Sequence, residues 1–345
     1  MSKITGKRSL KIITLAIAIG ATALLGSCAT VSTLDKPIKI DGSSTVYPIS
    51  EEIVRELQAQ AANKSIEQSD ISVNFSGTGG GFKKFCAGEI EIAAASRPIL
   101  SEEMQACNNA QIRYIELPIA FDALTIVVNS QNNWAENLTV EELKKIWESD
   151  AEGKITNWQQ VRASFPDRPL QLYGPDRESG TYDYFTEAID KARGASRQDY
   201  TASEDDEVIV NGVTNNPNAL GYLGFSYYEQ HTDKLKSVAI DSGKGAVIPS
   251  RETVETAQYQ PLSRPLFIYV NAQAAQDNPA LETFVEAYLE KAPEVVSKVG
   301  YIPLPEEGYR LAKIHFERGK VGTVFDGKSE FNLTIGELLR KQAKF

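Results

Sequence analysis

Six hydroxyl side chains, Ser44, Thr45, Thr78, Ser96, Ser179 and Thr181, stand in four short turns: "IKIDGSSTVYP", "VNFSGTGGGF", "IAAASRPI" and "LQLYGPDRESGTYDYF". Each turn is rich in Gly, Ser or Thr and lies between an apolar run and a helix start. Hydroxyls, first-turn amides and the guanidinium of Arg97 or Arg177 are all donors, and together they suit a small tetrahedral oxyanion. The second turn packs Gly77, Gly79, Gly80 and Gly81 around Thr78. Such a run costs backbone entropy, so it marks either a tight strand-to-helix crossover or bare amides that cradle an anion. It is not a nucleotide loop. Phe82 stands where both the G-x-x-x-x-G-K-[ST] and the G-x-G-x-x-G patterns require glycine.

The elements that must position these turns alternate between strand and helix patterns from Lys36 onward, which predicts an α/β protein with mostly parallel strands. "IKI" precedes the first turn, and Ile49, Ile53, Leu57 and Ala61 then recur at helical spacing. Ile71, Val73 and Phe75 alternate before the glycine loop, and "EIEIAAAS" precedes Arg97 and Pro98. "LSEEMQAC" places Ser101 as a helix cap, with Glu102 and Glu103 in the first turn. "DALTIVVN" (Asp122 to Asn129) and "RPLFIYVN" (Arg264 to Asn271) are matching buried-strand patterns. Between them lie the helix "TVEELKKIWES", the strand "LQLYG" and the turn "PDRESGT". The two apolar strands read as the passages between a discontinuous first domain and an inserted second one, with a cleft and a hinge in one region. "ASEDDE" reads as a solvated acidic loop.

Composition and the first residues limit the function further. A formal net charge of −10 and a pI near 5.0 argue against a nucleic-acid partner. A buried anion remains compatible with that charge, because it responds to donors within a few ångströms. The only histidines, His231 and His315, have no Cys or His at ligand spacing, so no metal site is expected. Neither histidine neighbours a candidate serine, and no G-x-S-x-G occurs. Lys3, Lys7, Arg8 and Lys11 precede the apolar run Ile12 to Leu25, which reads as a signal peptide over residues 1–27. "LLGSC" resembles the lipobox of bacterial lipoproteins. It implies lipidation at Cys28, a tether over 28–36, and export to the periplasm or cell surface on a membrane anchor. In that oxidising compartment Cys86 and Cys107 are expected to form a disulfide.

Taken in order, "DGSSTVYPI", "SGTGGGFKKFC", "ASRPI", "DRESGTYDYF" and "ALGYLGFSYY" behind the lipobox resemble the substrate-binding proteins of bacterial high-affinity phosphate ABC transporters (PstS/SphX-like). The resemblance implies a type II periplasmic binding-protein fold: two α/β lobes with mixed, mostly parallel sheets joined by a two-strand hinge. It places lobe 1 at 37–128 plus 265–345, lobe 2 at 129–264, and the hinge near Asn129 and Pro265. It implies a monomer without cofactor or catalysis that closes on one inorganic phosphate and delivers it to ABC permease subunits. By motif position the phosphate ligands are Ser44, Thr45 and the Val46 amide, then Thr78, Gly79 and Gly80, then Ser96, and then Ser179, Gly180 and Thr181. Two positions depart from the family. Ser96, followed by Arg97, stands where relatives place an Asp that accepts the phosphate proton, so Asp176 and Asp206 are the candidate acceptors. Pro175 stands where relatives place an Arg, and Arg177 lies two residues before Ser179; for Arg97 a structural salt bridge is the alternative to ligand contact. Competing expectations are a binder of another oxyanion such as sulfate, a phosphate-ester hydrolase, or an adhesin on the same fold.

Overall fold

The computed structural model describes residues 37–64 and 70–345. The expected signal peptide, the tether and Cys28 lie outside the described residues. The polar residues Glu116 and Asp122 interrupt the apolar pattern around "DALTIVVN". The structure nevertheless continues that strand upstream to a single strand, Tyr114–Asn129, with all sixteen residues buried. Both interruptions are neutralised in place. Glu116 accepts from the Tyr269 hydroxyl at 2.7 Å and the Val324 amide at 3.2 Å, and Asp122 pairs with Arg264.

We label the eight strands along the main path of the ten-stranded sheet β1 (Ile38–Gly42), β2 (Ile71–Val73), β3 (Ile92–Ala95), β4 (Tyr114–Asn129), β5 (Gln171–Gly174), β6 (Thr201–Ala202), β7 (Ala219–Gly224) and β8 (Ser263–Asn271). The order is β2-β1-β3-β8-β4-β7-β5-β6. β1 runs parallel to β2 and β3, and β5 runs parallel to β6 and β7, whereas β4 and β8 run antiparallel to their neighbours. The sheet is therefore mixed. β4 links two main ladders, residues 114–123 with β8 and Leu124 to Val128 with β7, and also carries two short ones, Ala120 and Phe121 with the strand Ile302–Pro303 and Val127 to Asn129 with the strand Leu235–Ser237. Its change of partner falls between Ala123 and Leu124, and the Leu124 amide donates to Leu262 O at 2.7 Å. A strand with neighbours on both sides and cover on both faces reads as a continuous apolar run, which is why β4 and β8 are buried throughout.

The helices that follow these strands are α1 (Tyr47–Lys64), α2 (Thr78–Cys86), α3 (Ser101–Asn109), α4 (Val140–Trp147), α5 (Gly180–Asp190) and α6 (Asp206–Thr214). Cys86 at the end of α2 is bonded to Cys107 in α3, as expected. Thr139 caps α4 and Ser179 caps α5 through their side chains. Ser101 does not cap α3. The helix is preceded by Leu100, whose amide is taken by the Glu103 carboxylate at 2.8 Å, while the Ser101 hydroxyl donates to Gly327 O. Phe75 lies beyond the short β2 and is exposed, edge-on to Tyr47.

Candidate functional site

The four turns all lie at the carboxyl ends of strands, and the fold brings them together. Asp41, at the end of β1, fastens the first turn to the glycine loop: it accepts from the Gly42 amide at 2.7 Å and the Ser76 hydroxyl at 2.9 Å, and pairs with Lys84. Thr78 and Ser96 hydroxyls lie 3.3 Å apart, and the Ser96 amide donates to Thr78 Oγ1. Across from them, a Cβ built on Gly180 would fall 2.3 Å from Thr78 Oγ1 and 2.4 Å from Ser96 Oγ. Only a residue without a side chain lets the first turn of α5 approach those hydroxyls. Gly77 answers the other glycine question. It has φ +78°, and a Cβ there would meet Glu178 O at 2.3 Å, where the Gly79 amide donates to the same carbonyl. As first residues of α2 and α5, Thr78 and Gly180 have amides without an intrahelical acceptor.

Thr45 from the first turn and Thr181 from the fourth place their hydroxyls 3.2 Å apart, both fully buried. Arg264 joins them. Its Nη2 donates to Thr181 Oγ1 at 2.8 Å, to Thr45 Oγ1 at 3.2 Å and to Asp122 Oδ2 at 2.9 Å, while Nη1 is buried without a partner. The pairing of β4 with β8 sets this contact, because Arg264 and Asp122 stand directly opposite in the antiparallel ladder. Asp122 also accepts from the Phe225 amide.

The two arginines named from the motifs are placed elsewhere. Arg97 is buried, but its donors are occupied: Nε by Asp183, Nη1 and Nη2 by the two oxygens of Glu103, and Nη1 also by Pro98 O. Arg177 is exposed and lines a surface groove with Asp176 and Tyr200. The Val46 amide is taken by Ser43 O at 3.1 Å. Ser179 is buried and its Oγ accepts from the Thr181 amide, leaving its hydroxyl proton to donate. Gly79 donates its amide to Glu178, and Gly80 lies in the first turn of α2.

An acidic wall completes the region. Asp206, the first residue of α6, is buried with Oδ2 unpartnered, and both side-chain oxygens of Glu204 are buried and unpartnered. "ASEDDE" is thus not a solvated loop: Asp205 and Glu207 face solvent while the alternate carboxylates turn inward. Burial pushes Asp206 up to about 7, against the opposing pull of the Ser44 hydroxyl and Arg264. Burial, with the charges of Asp206 and Asp176, raises Glu204 to about 9 against the opposing pull of the Ser44 hydroxyl and amide. Asp176 is instead used locally, accepting from the Glu178 amide through its side chain and from the Ser179 amide through its carbonyl.

Sequence reasoning missed Arg264, Asp122 and Glu204. A signal for the first two was present: each of the two matching apolar strands begins with one charge, Asp122 and Arg264, of opposite sign. Antiparallel pairing of those strands would have set them face to face.

Comparison with known proteins agrees with this architecture. A model of the PBP superfamily domain matches residues 27–290. Protein SphX of Synechocystis sp. is 59% identical over 94% of this chain and 96% of its own length. The phosphate-binding protein PstS of Staphylococcus saprophyticus is 38% identical over 85% of this chain and 89% of its own. A provisionally named phosphate ABC transporter substrate-binding protein from Clostridium perfringens, solved with bound phosphate, superposes with a TM-score of 0.65 at 26% identity, covering 78% of this chain and 100% of the other. With a family model spanning most of its length, and a fold of two ladders sharing β4, the chain belongs to the PBP superfamily of periplasmic-binding-protein-like domains.

Proposed function

We propose that this protein captures inorganic phosphate between two lobes and hands it to a membrane ABC permease for import, without chemistry on the ligand. One observation carries the reading: hydroxyls from all four turns and the Arg264 guanidinium meet at buried positions beside unpartnered carboxylates. The names of the relatives support it, since PstS is a phosphate-binding protein and the Clostridium structure holds phosphate. Thr45, Thr78, Ser96, Ser179, the Gly180 amide and Thr181 donate to the phosphate oxygens. Arg264, rather than Arg97 or Arg177, supplies the positive charge, and Asp206 accepts the proton. The lobes are the two ladders, divided where β4 changes partner at Ala123/Leu124 and at the matching Leu262/Ser263 crossing, a few residues from the Asn129 and Pro265 positions expected from sequence. Exported protein is held at the membrane through lipid on Cys28 and acts as a monomer.

Calorimetry with phosphate, arsenate and sulfate on stripped protein tests the reading directly. Tight phosphate and arsenate binding with weak sulfate binding is expected, and equal binding of sulfate would transfer the protein to a general oxyanion carrier. Turnover of a chromogenic phosphate ester by the same preparation would establish a hydrolase instead. Intact-mass analysis of membrane-fractionated protein should find a diacylglyceryl adduct on Cys28.

A further inference from the structure

Arg97 is the residue after Ser96, and Asp183 lies two residues after Thr181, so an ion pair sits beside the proposed ligand contacts on both sides of the cleft. Arg97 Nε to Asp183 Oδ2 is 2.8 Å, and only 2% of the Arg97 side chain is exposed. The remaining guanidinium edge is held by both oxygens of Glu103, each at 2.8 Å, from the first turn of α3 only six residues along the chain from Arg97. This asymmetry matters. Glu103 is a permanent partner that compensates the buried charge at all times, whereas Asp183 is on α5, which follows β5 on the other side of the β4 crossing. If the ladders separate, Arg97 keeps a bidentate carboxylate, and Asp183 stays in the favourable field of its own helix start. The pair can therefore break without stranding a buried charge. Two weaker contacts line the same edge, Lys83 with Glu178 and Arg193 with Glu102, and all three join the segment 83–103 to 178–193.

We propose that Arg97 and Asp183 form a closure latch, a positioning pair that holds the two lobes shut around the ligand without touching it. The inference rests on the two-lobe phosphate-carrier reading. The latch acts on release, because it forms only once the lobes have met. The test is Asp183→Asn in the full chain, followed by release of radiolabelled inorganic phosphate chased with unlabelled phosphate. Release should be about tenfold faster, as expected for loss of a partly buried charge pair of about 1.4 kcal/mol, with the association rate unchanged. Glu103→Gln provides the contrast: it should lower the melting temperature of ligand-free protein, because Glu103 also holds the Leu100 amide. A second readout needs no ligand: the distance distribution between spin labels at the exposed Glu89 and Gln198. The Asp183→Asn protein should populate longer distances than wild type. Release that is unchanged or slower, or an unchanged distance distribution, overturns the latch. A wild type that binds no phosphate overturns the carrier reading instead, and the ligand-free distances still decide the latch.

Discussion

Selectivity between phosphate and sulfate should hinge on Asp206. The two dianions match in size and charge, so a site made only of donors holds both, and discrimination needs an acceptor that pairs with the phosphate proton. Asp206 Oδ2 is buried without a partner beside Ser44, and Arg264, whose charge acts on it, is already paired with Asp122. Sulfate facing an ionised, unpaired acceptor loses about 1–3 kcal/mol, roughly 5- to 150-fold in affinity. Asp206→Asn replaces the acceptor by an amide that can turn its donor to the ligand, so the preference should collapse to within a few fold. The pH dependence has a definite sign. Burial pushes Asp206 up to about 7, so below that pH the carboxyl carries a proton and donates to sulfate. Wild-type affinity for sulfate should therefore rise as pH falls through about 7, while the Asp206→Asn protein stays flat. The same raised group favours the ligand-free fold at low pH, and that contribution is lost as pH rises from the ordinary carboxylate range through about 7. Calorimetric titrations with phosphate and with sulfate, at about pH 5.5 and about pH 8.5 on both proteins, measure the affinities required. Unaltered phosphate preference after Asp206→Asn would refute the assignment and move the acceptor to Glu204 or Asp122.

Arg264→Gln should leave Asp122 buried and unpaired, lowering stability by about 3–5 kcal/mol as well as phosphate affinity. Adding Asp122→Asn should restore thermal stability but not affinity, and Arg177→Ala should leave affinity within about twofold because that side chain is exposed. Gly180→Ala would put a Cβ 2.3 Å from Thr78 Oγ1. Ligand-free protein should melt near the wild-type temperature, while small-angle scattering should show none of the compaction that phosphate produces in wild type. Replacing both Cys86 and Cys107 by Ser opens a crosslink between residues 21 apart in sequence, and chemical denaturation should show a loss of about 3 kcal/mol on the chain-entropy model.

The four turns were legible from sequence because each carries its own local cue, an apolar strand, small residues and a helix start, and the topology of an α/β sheet gathers such turns at one edge. The pairing of Cys86 with Cys107 was legible for a similar reason, since two thiols leave one partner each. What escaped was long-range. The guanidinium that meets the buried threonines belongs to Arg264, 83 residues from Thr181 and 219 from Thr45. It reaches them only because β8 pairs with β4 in one register, and no local motif encodes register. Arg97 and Arg177 are ligand candidates because they stand inside the motifs, and for Arg97 the salt-bridge alternative is the one the structure shows. Motif position specifies where a residue lies along a turn but not what occupies its donors, and the carboxylates that occupy Arg97, Glu103 and Asp183, come from two different helices. Burial explains the misreading of "ASEDDE" as well. Alternate residues of an acidic run can face opposite ways at a helix start, so composition marks the run as solvated while Asp206 and the Glu204 oxygens are sealed from water. A departure from a family pattern at one position, such as Pro175 in place of Arg, is then better read as a question about the whole site. The compensating charge need only arrive at the same point in space, and here it arrives from a strand on which no binding motif had been recognised.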